Sequence, residues 1–202
     1  MIQKPIDTAA PILPLFAERY SGVSYDPDRM VSQEQVLAMS EAARWAPSCF
    51  GDQPWRYVIC NKASDPSAWE AAYACLMEGN QAWCNAAPVL IIVCCDTVFS
   101  KNDKPNGFGP YDTGAASVSL CLQAAAMGLM THQMGGFVAD KARELFQIPA
   151  RFKPLAMMTV GYQLAEEKLS PAFRERELAA RARNPLDQHF FAGSWGKGIQ
   201  GR

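Results

Sequence analysis

Seven apolar residues in a row, Val89 to Cys95, follow Pro88 without a polar interruption. A half-exposed strand alternates polar and apolar residues, so an unbroken run of this length calls for a strand covered on both faces. The chain must therefore build two apolar layers around a sheet. Its 202 residues are enough for one large domain to bury such a core without staples.

The segments around this strand read as helices and further strands. Ser32 with Gln35 forms a capping box, and Val31 with Val36 a hydrophobic staple, so a helix starts there, runs to about Trp45 and stops before Pro47. Residues 55–60 alternate in strand style. Asp65-Pro66 is a second N-cap, opening a helix through Tyr73 and Met77 to Gly79. Residues 96–110 form a long polar loop, of the kind that makes lids or substrate walls. A helix rich in Ala and Ser follows from Asp112 to about Met127, stopped by Gly128 and suited to the middle of the fold or a dimer seam. A shorter helix covers about 139–147, an apolar strand 154–162, and Ser170-Pro171 caps a charged helix. The tail from Asn184 has weak local preference yet carries Phe190, Phe191 and Trp195, which need a surface, such as a partner subunit, to bury them. Three or four strands separated by helices give an α+β or α/β sandwich. No repeat or linker divides it, so 1–202 is expected as a single domain, with 1–17 as an N-terminal extension and 184–202 as a tail.

Nineteen basic residues against twenty acidic ones leave a net charge of −1, which offers no basic face for nucleic acid. The apolar N-terminal stretch 12–16 is short and broken by Pro14, so no signal sequence or membrane span is expected, and a cytoplasmic protein follows by default. The seven cysteines are odd in number, scattered and mostly inside apolar runs, which reads as reduced, buried thiols.

Familiar chemical signatures are missing: there is no G-x-G-x-x-G, no Walker loop and no G-x-S-x-G elbow. His132 and His189 lack carboxylate or thiol partners at ligand spacing, so no metal site is expected. Two stretches stand out instead. Arg19-Tyr20-Ser21 puts a guanidinium and a hydroxyl within two residues. Pro47-Ser48-Cys49, leading to Gln53-Pro54-Trp55, is a loop of small and polar residues that can offer backbone N–H groups to a planar ligand. Read alone, Arg19 fits a surface helix end, Arg181 and Arg183 a solvated face, and Gly135-Gly136 a plain turn.

These elements occur in an order that resembles the FMN-dependent nitroreductase family. The sequence runs from Arg19-Tyr20-Ser21 to Pro47-Ser48-Cys49 and Gln53-Pro54-Trp55. An alanine-rich helix then ends in Gly128-Leu129, followed by Gln133-Met134-Gly135-Gly136-Phe137, Val160-Gly161-Tyr162 and Arg181-Ala182-Arg183. The resemblance covers roughly 18–196. It implies an α+β, nitroreductase-like sandwich: a central, mostly antiparallel sheet flanked by helices, with the C-terminal tail exchanged across a homodimer.

The resemblance also implies bound FMN at the subunit interface. Its phosphate would meet Arg19, Ser21, Arg181 and Arg183, whose charged forks suit it, with Tyr20 alongside. Pro47, Ser48, Cys49 and Gln53 would reach the ring and ribityl region from the other subunit, and Asn80 would add an amide contact. The loop Gln133, Met134, Gly135 and Gly136 would present N–H groups to the N5 and O4 edge of the flavin. The implied activity is ping-pong transfer of two electrons from NAD(P)H through flavin N5 to a small acceptor such as a nitroaromatic or quinone, with no acid/base residue assigned. His132, beside the flavin-edge loop, is the outside candidate for an acceptor contact. The chain departs from the family pattern at Val23, Gly51 and Gly135, which places it outside the best-known subgroup. Two other readings stay open: an FMN-binding protein of the same fold without NAD(P)H-driven turnover, and a thiol redox enzyme using Cys49.

Overall fold

The computed structural model describes residues 2 and 4–199. Met1 and Gln3 of the expected extension, and residues 200–202 of the expected tail, lie outside the described residues. Strands β1 (Trp55–Asn61), β2 (Val89–Asp96), β3 (Met130–Met134) and β4 (Phe152–Gly161) form one antiparallel sheet in the order β1-β2-β4-β3. The apolar run is therefore central, and every residue of β2 is buried. A register shift between Val93 and Cys94 lies where β4 carries Pro154, which has no N–H to give the ladder.

The pleat of β2 sends alternate side chains into two cores. Leu90, Ile92 and Cys94 join Trp69, Trp83, Met130, Met134 and Met157 on one face. That face is covered by α3 (Pro66–Ala74), α4 (Glu78–Cys84) and α6 (Ala139–Leu145). Val89, Ile91 and Val93 join Val36, Met39, Ala116, Leu120, Ala124 and Met158 on the other. That face is covered by α2 (Gln33–Arg44) and α5 (Gly109–Ala126). The Ser32–Gln35 capping box forms in both directions, and Asp65 caps α3 through Ala68 N–H at 2.9 Å. The fold is thus the expected α+β sandwich. The small residues Ala116 and Ala124 let α5 sit close to the sheet, while Tyr111, Gly114 and Val118 line its outer face.

Three local expectations need correction. The helix expected to run to Gly79 ends at Ala74, because Leu76 bridges to Phe137; Met77 N–H then bonds Gly136 O (3.0 Å) and Val138 N–H bonds Cys75 O (2.8 Å). A distant segment thus captures the backbone that would have continued the helix. Gln133 and Met134, expected in a loop, are the last residues of edge strand β3, so the loop shrinks to Gly135-Gly136. The polar-and-Met sequence of β3 has little strand preference of its own, and pairing with β4 decides it. Helix α5 begins at Gly109, three residues before Asp112. A Cβ at Gly109 would meet Asp96 O at 2.6 Å, so only glycine permits that approach.

The loop after β2 is pinned to the body. Arg151 Nε pairs with Asp96 at 2.8 Å and its Nη1 with Asp103 at 3.1 Å, while Val98 bridges to Pro105. Two further helices, α1 (Pro14–Glu18) and α7 (Pro171–Leu178), complete the fold, α1 packing against α5. Among the described residues no helix is long and apolar enough to cross a membrane.

Candidate functional site

The sequence-predicted residues fall into two groups. The first lies along the β3 edge. Arg19 follows α1, and its Nη1 reaches Ser21 Oγ at 3.5 Å. From beyond α7, Arg181 donates through Nη1 to Arg19 O (3.0 Å) and through Nη2 to the carbonyls of Lys4 and Ala17. Arg183 is exposed and, among the described residues, bonds only its neighbour's carbonyl, Ala182 O, at 2.8 Å. Burial first, and then the charges of Arg19 and Arg183, pull the Arg181 pKa below its ordinary value. Among the described residues none of these three guanidiniums pairs with a carboxylate. The locus therefore gathers three guanidiniums that make no ion pair, an arrangement that can receive an anion even with Glu18 in the neighbouring lining and the Glu177 carboxylate close by.

Beside it lies a shallow cavity whose lining includes Arg19, Tyr20, Leu129, Met130, Thr131 and Gln163. The Tyr20 hydroxyl accepts from Gln163 Nε2. Burial, and then the negative charge of Glu177, push its pKa up, so it stays a phenol at neutral pH. At the far end of β3, four residues and about 13 Å away, the Asn80 side chain donates to Gly136 O at 2.8 Å. A Cβ on Gly136 would lie 2.6 Å from Asn80 Nδ2, whereas Gly135 faces open space. The Met134 side chain is buried, its Sδ 3.5 Å from Cys84 Sγ. Gln133 is exposed, with Nε2 3.6 Å from Cys121 Sγ.

His132 turns inward between these ends. Its ring lies 4.6 Å from Trp83, and Nδ1 is 2.9 Å from Gly22 O. A carbonyl can only accept, so Nδ1 carries the proton; burial lowers the pKa and keeps the imidazole neutral.

The second group is the loop between α2 and β1. Ser48 Oγ accepts from Gln53 N–H (3.0 Å), and Cys49 N–H donates to Asp112 Oδ2 (2.9 Å) at the start of α5. Phe50 (φ 56°), Gly51 (φ 67°) and Gln53 (φ 50°) adopt left-handed backbone. For the two non-glycine residues this costs about 1–2 kcal/mol each. Cross-links hold the strain: Asp52 accepts from Ser100 N–H at 3.1 Å, and exposed Phe50 packs edge-on against Phe99 with Lys101 Nζ 3.4 Å from its ring centre. Pro47 is exposed beside them. Asp112, Asp52 and Ser100 escaped the sequence reading as site supports, since their partners lie dozens of residues away.

Arg19 and the Cys49 loop do not meet within one chain. Cys49 rests on Asp112 near the start of α5, and Arg19 shares its cavity with Ala125 near the end. Thirteen helical residues separate those anchors by about 20 Å. All seven cysteines are free, and burial pushes the Cys60 and Cys84 thiols up to about 12 and Cys94 to about 11, which leaves those three unreactive. Among the described residues no three metal-ligating side chains cluster.

Comparisons with known proteins bear on the fold and the family. The model of the nitroreductase family matches residues 16–82 and 74–162. A crystal structure described as an oxidoreductase containing FMN superposes with a TM-score of 0.85 at 35% identity, covering 94% of this chain and 95% of its own. A protein of Methanothermobacter thermautotrophicus, named as a proposed NADH dehydrogenase/NAD(P)H nitroreductase, is 30% identical over 67% of this chain and 69% of its own length. The major NAD(P)H-flavin oxidoreductase of Aliivibrio fischeri is 26% identical over 46% of this chain and 43% of its own.

Proposed function

The chain belongs to the nitroreductase family, and on that premise we propose that it is an FMN-dependent oxidoreductase using NAD(P)H as donor. The observation that carries the reading is the trio Arg19, Arg181 and Arg183, none of them in an ion pair among the described residues, at one end of a strand whose other end is the Asn80–Gly136 contact. An extended molecule with a phosphate at one end and a flat polar ring at the other fits both ends. Arg19, Ser21, Arg181 and Arg183 take the phosphate, with Tyr20 walling the cavity. Backbone N–H groups from Gln133 to Gly136, held in place by Asn80, face the ring edge, where fixed donors favour developing negative charge. Bound FMN supplies the redox chemistry, accepting two electrons from NAD(P)H and yielding them to a small acceptor such as a nitroaromatic or quinone.

Pro47, Ser48, Cys49 and Gln53 complete the site from a second copy of the chain; a chain's own loop is anchored near the end of α5 opposite Arg19. The exposed apolar side chains of Leu37, Trp45, Phe50, Tyr111 and Val118, and of Phe190 and Trp195 in the tail, support burial of that face in a homodimer with exchanged tails. The seven free thiols suit a cytoplasmic setting.

The purified protein should be yellow, carry about one FMN per chain and run at twice its 22.2 kDa chain mass. Anaerobic reduction by NADH or NADPH, followed by reoxidation with nitroaromatics and quinones, tests turnover. Colourless protein that takes up no added FMN would refute the reading. FMN that binds yet is reduced by neither nucleotide would mark a binding protein of the same fold.

A further inference from the structure

Helix α7 carries a buried carboxylate that the site residues named so far do not account for. Glu177 is 1% exposed and is the one buried residue of that helix. It accepts from Val23 N–H and, at 2.6 Å, from Ser24 N–H through the same oxygen, Oε1, while Oε2 is buried without a hydrogen-bond partner among the described residues. A carboxylate withdrawn from water is costly unless its contacts repay it. Here those contacts are two backbone amides of the segment that begins with Arg19. Gly22 permits the approach: a Cβ there would sit 3.0 Å from each carboxylate oxygen and collide with Met130 Sδ.

Four residues beyond Glu177, Arg181 holds the carbonyls of Ala17 and Arg19. One C-terminal arm thus grips the segment around Arg19 twice, with a guanidinium on carbonyls at its start and a carboxylate on amides at its end. Apart from half-buried Phe173, α7 adds no large apolar side chain to the core. Its docking therefore depends on these polar contacts. We propose that Glu177 is a positioning residue of the anion site: it docks the C-terminal arm so that Arg19 and Ser21 from one side, and Arg181 and Arg183 from the other, converge on one phosphate. The inference rests on the reading of this locus as the FMN phosphate site.

Titrating full-length protein with FMN and with riboflavin, which lacks the phosphate, tests it. Glu177→Gln keeps the side-chain volume but removes the charge that accepts both amides. It should weaken FMN about tenfold or more while changing riboflavin less than about threefold, and Glu177→Asp should recover part of the loss. Equal losses for both flavins, or no loss for FMN, overturn the inference and leave the FMN assignment standing. Wild-type protein that binds neither flavin overturns both. Should Glu177→Gln fail to fold, hydrogen exchange of the wild type decides: FMN should slow residues 20–24 and 174–181 together, and protection of only one segment refutes the coupling.

Discussion

Replacing Arg181 and Arg183 separately with Ala should divide stability from cofactor affinity. Arg181 donates to the carbonyls of Lys4, Ala17 and Arg19, which ties the C-terminal arm to the start of the chain. A hydrogen bond from a charged donor contributes about 1.5–3 kcal/mol. The three carbonyls regain water once the side chain is gone, so the expected loss is about 2–4 kcal/mol rather than the sum of three bonds. In a domain of this size each kcal/mol lowers Tm by about 2–4 °C, which gives a drop of about 4–16 °C for Arg181→Ala. Arg183 is exposed and bonds only Ala182 O, so Arg183→Ala should cost under about 0.5 kcal/mol of stability. Its free guanidinium is the better placed to meet a phosphate, and its loss should weaken FMN by about 1.5–3 kcal/mol, roughly 10- to 150-fold in Kd. Melting must be measured on protein stripped of FMN, because ligand binding itself raises Tm. Equal melting temperatures for the two variants would refute the structural role of Arg181. Unchanged FMN affinity in Arg183→Ala would remove that residue from the site.

Gly136→Ala puts a Cβ 2.6 Å from Asn80 Nδ2 and should cost about 1–3 kcal/mol. Because Asn80→Ala breaks the same contact, the double variant should be less destabilised than the two singles added, and strict additivity in urea melts would refute the coupling. At Asp96, burial pushes the carboxyl up, but hydrogen bonds from Arg151 and Val98 outweigh it and hold the pKa below the ordinary value. The stability this brings is fully present above pH about 4 and is lost as pH falls through the lower, folded pKa. Asp96→Asn should flatten the urea midpoint between pH 5 and 2 (approximate bounds), and curves of equal acid slope would contradict the assignment. Tyr25→Phe removes a buried hydrogen bond to Thr159 Oγ1 (2.6 Å) and should lower stability by about 1–2 kcal/mol at unchanged urea m-value. A midpoint equal to that of the wild type would count against it.

What could be read from the chain was what neighbouring residues encode. The Val89–Cys95 run foretold a strand covered on both faces, and β2 is buried throughout. Ser32 with Gln35, and Asp65 with Pro66, foretold helix starts, because a cap and its amide lie within one turn. Strand β3 was hidden because its residues favour no strand until β4 pairs with them. The break at Leu76 was hidden because Phe137, which captures it, lies sixty-one positions on. The family pattern drew attention to Arg181, yet nothing local foretold that its guanidinium would be engaged with backbone carbonyls at the N-terminus.

By itself, then, the sequence determined the central strand, the starts of α2 and α3, the two-layered core and the kinship of the chain, since periodicity, caps and motif order are properties of adjacent residues and their succession. Only the tertiary structure decided where the chemistry could gather. It drew Arg19, Arg181 and Arg183 to one end of β3 across more than 160 residues of chain, placed Asn80 beneath Gly136, and buried Glu177 between the arm and the segment it holds. It also set the Ser48–Gln53 loop near the opposite end of α5 from Arg19. Spacing along a chain carries no information about such distances. They follow from which strands pair, which helices cover them, and how far a rigid helix of eighteen residues keeps its two ends apart.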